Sequence, residues 1–338
     1  MSDKPALHIA AREIPVPGHL SPEAQAWLAM PRADRGAGYP ALDDAAGWRQ
    51  HVAAMDAMVM QMYMHRPPAV PCTIRELTEG DARGYEIIPE GVVPGDRRVY
   101  LDIHGGALIM GSGEVCKAMA TGSACRLGAR VVAVDYRMPP DHPYPAGLDD
   151  CLAFYKALLR DHAPSEIIVG GGSAGANLAG ALLLRARDEG LPLPAAAMLM
   201  SPEADLTESG DSFRTNAGID AMGTLMQANL LYAAGHDLAH PYLSPLFGDF
   251  SRGFPPTLIT AGTRDAFLSN AARMHRALRN AGHRGGASHH GSRAAWLLRR
   301  RFARGGGVRP GNASVLREIL GRGLSSAGSG EPMRFRNA

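Results

Sequence analysis

No stretch of this sequence approaches the roughly eighteen uninterrupted apolar residues of a membrane-spanning helix. The segment from Met1 to Pro22 mixes Asp3, Lys4, Arg12 and Glu13 where a secretory leader would carry an apolar run. A soluble, cytoplasmic protein with no membrane span is therefore expected. Cysteine is scarce, and the four residues at 72, 116, 125 and 151 form neither a C-x-x-C pair nor a metal-ligand spacing. They read as reduced core thiols, and no metal or other cofactor is expected. Internal repeats are absent too. Apolar residues are plentiful: at 46% apolar and 20% charged, 338 residues bury a large core, which excludes disordered, collagen-like and small disulfide-stapled classes.

The net charge of +2 hides a break in composition. Residues 1–284 carry 25 Lys+Arg and 31 Asp+Glu, whereas residues 285–338 carry 10 Arg and 2 Glu and no Lys, Asp or Tyr at all. A basic tail can signal nucleic-acid or membrane contact. This one is crowded with Gly, Ala and Ser and lacks the mixture that such tails show, so no nucleic-acid partner is expected.

Between about residues 22 and 65 apolar side chains recur at helical spacing: Ala24, Trp27 and Leu28, then Trp48, Val52, Met55, Val59, Met62 and Tyr63. From 97 onward short apolar runs alternate with helix-length segments. The runs are Val99 to Ile103, Ala129 to Val134, Ile167 to Val169, Ala195 to Met200 and Thr257 to Thr260; the helices are Asp149 to Arg160, Ala174 to Arg187 and Ser269 to Ala281. Such alternation implies a mostly parallel sheet covered on both faces, with ligands at the carboxyl ends of its strands.

The residues with chemistry stand at those ends. Gly171-Gly172-Ser173-Ala174-Gly175 follows one strand and opens a helix, a sharp turn that pushes the serine Oγ outward. The amide of Ala174 then becomes an oxyanion donor at the positive end of that helix. His104-Gly105-Gly106-Ala107 follows another strand, where bare backbone N–H groups approach a substrate oxygen. Each of these also reads as a plain glycine turn. Asp265, just past Thr257 to Thr260, reads either as the acid that orients a catalytic base or as a helix cap. Serine before aspartate is the α/β-hydrolase order, and a histidine should follow.

With these motifs the chain resembles the bacterial hormone-sensitive-lipase-like esterases over roughly residues 20–284. The likeness rests on His104-Gly105-Gly106, the stretch from Tyr136 to Ala146, Gly172-Ser173-Ala174-Gly175-Ala176-Asn177-Leu178-Ala179, and Ser201-Pro202 with Asp205-Leu206-Thr207. It implies an α/β-hydrolase fold with a helical cap drawn from residues 1–65 and an insertion at 206–240, a core over 66–284, and 285–338 as an atypical tail. It implies Ser173 as nucleophile, Asp265 as acid, Gly105, Gly106 and Ala174 as oxyanion donors, and His104 and the Tyr136 to Ala146 stretch, with His142, as scaffold. The substrate would be a small-molecule ester or lactone with a short to medium acyl group, and no cofactor is needed. A homodimer is left open. Two departures stand out: Gly172 replaces the family's usual aspartate, and Ala107 replaces a third glycine, a change expected to be tolerated if its φ stays negative. Glu203 is a candidate pocket carboxylate, and Met55, Met58, Met60, Met62 and Met64 read as a pocket lining or a helix core.

The base is where the pattern fails. After residues 269–281 the family places one more strand and then a His-Gly-Phe-like loop, and neither is legible here. His290, beside His289, is the candidate the chain offers, with no strand expected before it. Read one base later, however, His289-His290-Gly291 permits Ile-Met, Ala295-Trp296 permits His, Trp296 before any Leu codon forces Gly, and Leu297-Leu298 permits Phe. That His-Gly-Phe falls about thirty residues after Asp265. A shifted frame beginning near 284–288 is one reading; a divergent C-terminus using His289 or His290 is the other. The shift would leave the chain nearly inactive, with a bare sheet edge and disorder beyond about 285. An amidase or peptidase of the same fold, and a catalytically silent small-molecule binder lacking the histidine, are the rival functions.

Overall fold

The computed structural model describes residues 11, 13–30, 38–64, 68–220, 222–283 and 285–290. Eight strands form one sheet: β1 Cys72–Glu79, β2 Ala82–Pro89, β3 Val99–Ile103, β4 Arg130–Asp135, β5 Ile167–Gly172, β6 Ala196–Met200, β7 Thr257–Gly262 and β8 Gly285–His290. Their order is β1-β2-β4-β3-β5-β6-β7-β8, with β1 and β2 antiparallel to their neighbours and the rest parallel. The helices are α1 Pro22–Ala29, α2 Ala45–Met64, α3 Glu114–Leu127, α4 Ala146–Asp161, α5 Ala174–Asp188, α6 Ser212–Thr215, α7 Met226–Ala233 and α8 Leu268–Asn280.

Residue alternation along each central strand feeds two cores. Leu101, Ile103, Val132, Val134 and Val169 pack with Leu148, Phe154, Leu178 and Leu182 of α4 and α5. Tyr100, Val131, Ala133 and Ile168 face the other way, against Cys116, Ala120 and Ala124 of α3. Because both faces are covered, β3 and β6 are buried at every residue; β6 reads as an unbroken apolar run, and β3 as one interrupted only by the buried Asp102.

The sequence reading missed β1, β2 and α3. Edge strand β1 is exposed at most positions and carries Thr73, Arg75, Glu76 and Glu79, so it shows no apolar run; that polarity discourages pairing with another chain. Helix α3 packs through small residues, which leave a weak helical pattern. The N-terminal helical stretch forms α1 and α2, as its spacing implies. A further correction concerns the tail: a strand does precede His290, because β8 pairs with β7 in parallel from Thr257↔Gly285 to Gly262↔His290. The edge of β7 is therefore covered. Residues 291–338, with the proposed frame-restored histidine at 295–296, lie outside the described residues.

From β3 the chain moves to β4 on one side and then to β5 on the other, so the order reverses between β3 and β5. Such a reversal opens a crevice at the carboxyl ends of the two strands. His104-Gly105-Gly106 leaves β3 there, and Ser173 leaves β5.

Close packing at that point constrains the chain. A Cβ on Gly175 would lie 1.9 Å from the Ile103 carbonyl oxygen, and one on Gly171 would lie 2.2 Å from it. Neither contact can be relieved by a side-chain rotation, because the partner is backbone. Gly175→Ala is expected to cost about 3 kcal/mol in urea unfolding. Gly18→Ala, with nothing within 4 Å of its added carbon, should stay within about 0.5 kcal/mol of the parent.

Candidate active site

Ser173 bridges β5 and α5 with φ 58° and ψ −122°, a conformation that a non-glycine residue holds only under constraint. The constraint is visible: its N–H donates to Met200 O at 2.9 Å, and its carbonyl accepts from Ala176 and Asn177 at 3.0 and 3.2 Å and from Glu203 N at 3.3 Å. Bonds on both sides fix the turn, and Ser173 is half-buried at the start of α5.

The β3 loop comes up against this turn. A Cβ on Gly105 would lie 2.7 Å from Gly172 O and 3.4 Å from Ser173 Cβ, so only bare backbone fits there. Gly106 has φ 145°, and its carbonyl accepts from Ile109 and Met110 N, both at 3.0 Å, which closes the loop into a tight turn. Ala107 departs from expectation: its φ is +54°, left-handed rather than negative, and Leu108 follows at +63°. Leu108 is fully buried, so core packing helps hold a turn that glycine would make without strain.

A dry brace supports the loop. His104 is buried; its ring stacks on Tyr136 at 4.1 Å between centroids, its Nδ1 lies 3.0 Å from Gly105 O, and the Tyr136 hydroxyl donates to His104 O at 3.0 Å. Burial drives the His104 pKa down to about 4, against the smaller opposing effect of its bond to Gly105. Asp135 accepts from Gly113 N at 2.9 Å, and Asp56 of α2 accepts from Gly111 N at 2.8 Å. Burial raises both carboxyls above the usual range, with their mutual repulsion adding to the Asp56 shift. Among the described residues, His104, Cys116 and Asp135 place metal-ligand atoms within 4.8 Å of one another. Each also holds backbone: Cys116 Sγ lies 3.7 Å from Val134 O, and the other two bonds are those just given. The trio acts as the footing of the loop.

Asp265 is fully buried three residues beyond β7. One carboxylate oxygen accepts from Phe267 N at 2.8 Å, and the other accepts from the hydroxyl of Ser201, which leaves β6 with φ +50°. Asn216 donates to the Asp265 carbonyl at 2.9 Å. Nothing in the sequence reading singled out Ser201 as a partner of the acid; its place directly after the β6 run was the available signal. Glu203 is buried, not on the surface, and its carbonyl accepts from Asn177 Nδ2 at 2.7 Å. The same Asn177 nitrogen donates to Leu243 O at 2.7 Å. His142 is exposed. His290 ends β8 with its backbone in register with Gly262, at the same end of the sheet as Ser173, Ser201 and Asp265.

Helix α2 covers the loop. Trp48, Val59, Ile109, Met110 and Ala228 form one buried cluster, joined by Met55 and Met60. Met58 and Met62 are exposed, so the methionines of α2 do not act as a single lining.

The family model for the alpha/beta hydrolase fold matches residues 100–289. An esterase of Acinetobacter venetianus is 36% identical over 206 residues, which cover 60% of this chain and 67% of that one. An acetyl-hydrolase of Streptomyces hygroscopicus is 38% identical over 191 residues, 55% of this chain and 64% of that one. Among solved structures, an esterase superposes with a TM-score of 0.82 at 29% identity, covering 95% of this chain and 98% of that one. An esterase from the bacterial hormone-sensitive lipase family superposes with a TM-score of 0.70 at 28% identity, covering 86% and 100%. The chain belongs to the α/β-hydrolase family. Within it, this is a member of the hormone-sensitive-lipase-like esterases, a family of carboxylic ester hydrolases. No helix among the described residues is long and apolar enough to cross a membrane.

The buried His104 makes a pH prediction. Its pKa is about 6.5 unfolded and about 4 folded, so between those values the unfolded chain binds the extra proton and stability falls with pH. From pH 7 to pH 5 the parent should lose about 2 kcal/mol more than His104→Gln, read from paired urea titrations.

Proposed function

We propose that this chain carries a serine esterase site acting on short to medium acyl esters of small alcohols, with Ser173 as nucleophile. The observation that supports it best is the left-handed Ser173 at the β5–α5 turn with the bare backbone of Gly105 against it. Ser173 Oγ attacks the acyl carbonyl. Backbone N–H groups of Gly105, Gly106 and Ala174 hold the oxyanion, and because the braced loop fixes them before substrate arrives, little reorganisation is needed as charge develops. The base takes the Ser173 proton and returns it to the leaving alcohol; water then hydrolyses the acyl-enzyme. Asp265 orients the base. A carboxylate has about four lone-pair positions, and Phe267 N–H and the Ser201 hydroxyl take two, which leaves room for an imidazole N–H. A cytoplasmic setting belongs to the same proposal.

The base itself is read as lost from residues 285–338 by the frame shift. The family match ends at 289, next to the break in composition, and the alternative frame permits His-Gly-Phe in the loop position that follows β8. A chain without its base would keep the pocket and bind esters with little turnover, which is also what the silent-binder reading expects; restoring the frame separates the two.

The test is an ester panel of acetate, butyrate, hexanoate and laurate on one chromogenic alcohol. The frame-restored chain should turn over butyrate faster than laurate, since each methylene that fits gains only about 0.8 kcal/mol and a cap built from two short segments limits depth. Ser173→Ala in that chain should lose at least about a thousandfold in kcat, because nucleophile and base act as a unit. Full activity in Ser173→Ala would end the assignment. Turnover by the chain as written that depends on His290 would end the frame-shift reading and make His290 the base, and turnover of anilides on a par with esters would favour the amidase.

A further inference from the structure

Two of the four cysteines meet away from the site. Cys72 opens edge strand β1, Cys125 sits in the last turn of α3, and their sulfurs are 3.5 Å apart although 53 residues separate them in the chain. Both are partly exposed, whereas Cys116 and Cys151 are buried. The two thiols share one backbone acceptor, Val70 O, at 3.5 Å from Cys72 Sγ and 3.8 Å from Cys125 Sγ, so both side chains turn into the same small space. A disulfide requires the sulfurs to close to about 2.05 Å, a shift that side-chain rotation can supply.

We propose that Cys72 and Cys125 form an oxidation site that takes up hydrogen peroxide and closes into a disulfide between β1 and α3. The thiolate of Cys125 attacks one peroxide oxygen; the O–O bond breaks, hydroxide leaves and is protonated to water, and Cys125 becomes a sulfenic acid. The Cys72 sulfur then attacks that sulfur, the S–S bond forms, and the S–O bond breaks as the Cys72 proton passes to the sulfenic oxygen, which departs as a second water. Two thiols are oxidised by two electrons in all, and one peroxide is reduced. Burial and the neighbouring Cys125 push the Cys72 thiol up to about 12, so Cys72 is not the sulfur that meets peroxide first; in the second step it gives up its proton to the departing sulfenic oxygen as it attacks. The crosslink would pin the edge hairpin β1–β2 to α3, the helix that follows the loop from His104 to Gly113. It needs no catalytic residue, so it stands or falls independently of the esterase reading.

The experiment treats the purified full chain with hydrogen peroxide and compares it with untreated protein. Titratable thiols in denaturant should fall from four to two. The intact mass should drop by about 2 Da, for the two hydrogens lost. A non-reducing peptide map should show the segments holding Cys72 and Cys125 joined, and the melting temperature should rise and then return on reduction. Cys72→Ser should show neither the mass loss nor the rise. The proposal is overturned if all four thiols survive, if oxygen is added at either cysteine without a crosslink, or if the crosslink involves Cys116, Cys151 or a second chain.

Discussion

The carbonyl oxygen of Ile103, at the end of β3, is approached so closely by α5 and β5 that nothing larger than hydrogen fits at Gly171 or Gly175. The rest of the site follows from that contact. It draws the start of α5 across the end of the neighbouring strand, and the single residue left to make the corner, Ser173, must take a left-handed φ. It also brings the β3 loop into backbone contact with the corner, so that Gly105 faces Gly172 and Ser173. The proposed nucleophile and the proposed oxyanion donors are thus placed by one packing contact rather than by separate devices.

What holds the loop of the proposed donors is a polar framework of three side chains, two from β4 and the turn after it and one from α2. Tyr136 after β4, Asp135 within β4 and Asp56 on α2 each bond to the backbone of the loop or to its flanks. Because Tyr136 is buried and Asp135 and Asp56 are half-buried, each bond is stronger than it would be in water, and each charged form is penalised. A neutral His104 and raised carboxyls are consequences of that burial. Helix α2 therefore does more than cover the loop, since its Asp56 carboxylate accepts a hydrogen bond from the loop backbone at Gly111.

The sheet's centre was legible because β3 to β7 are largely buried on both faces and leave short, mostly apolar runs, and the candidate site was legible because two of its glycine turns follow such runs directly. Edge strand β1 was not, since a strand that must not pair outward carries Arg75 and Glu76 where a central strand carries Val or Ile. Helix α3 was not, because Ala120 and Ala124 approach the sheet by being small, which erases the apolar stripe. The bond from Ser201 to Asp265 joins residues 64 apart and depends on the register of β6 with β7, which no local pattern encodes. Ala107 shows the limit of rules by residue type: the loop's other bonds over-determine the turn, and an alanine is carried into a conformation that its Cβ disfavours. At β8 the backbone of a strand is present although Gly285-Gly286-Ala287-Ser288 lacks strand propensity, because the parallel ladder of β7 supplies the partner.

The order of the strands also sets a length. Ser173 leaves β5 and Asp265 follows β7, with β6 between them. Adjacent strands stand about 4.8 Å apart, so these two departure points are separated by roughly 10 Å. That gap exceeds what two hydrogen-bonded short side chains can span. The Ser201 hydroxyl, just past the intervening strand, donates to Asp265. The spacing calls for a flat, rigid side chain with a nitrogen on each of two edges, long enough to touch both neighbours at once, and in this respect the sheet itself specifies the dimensions of the residue that must stand across it.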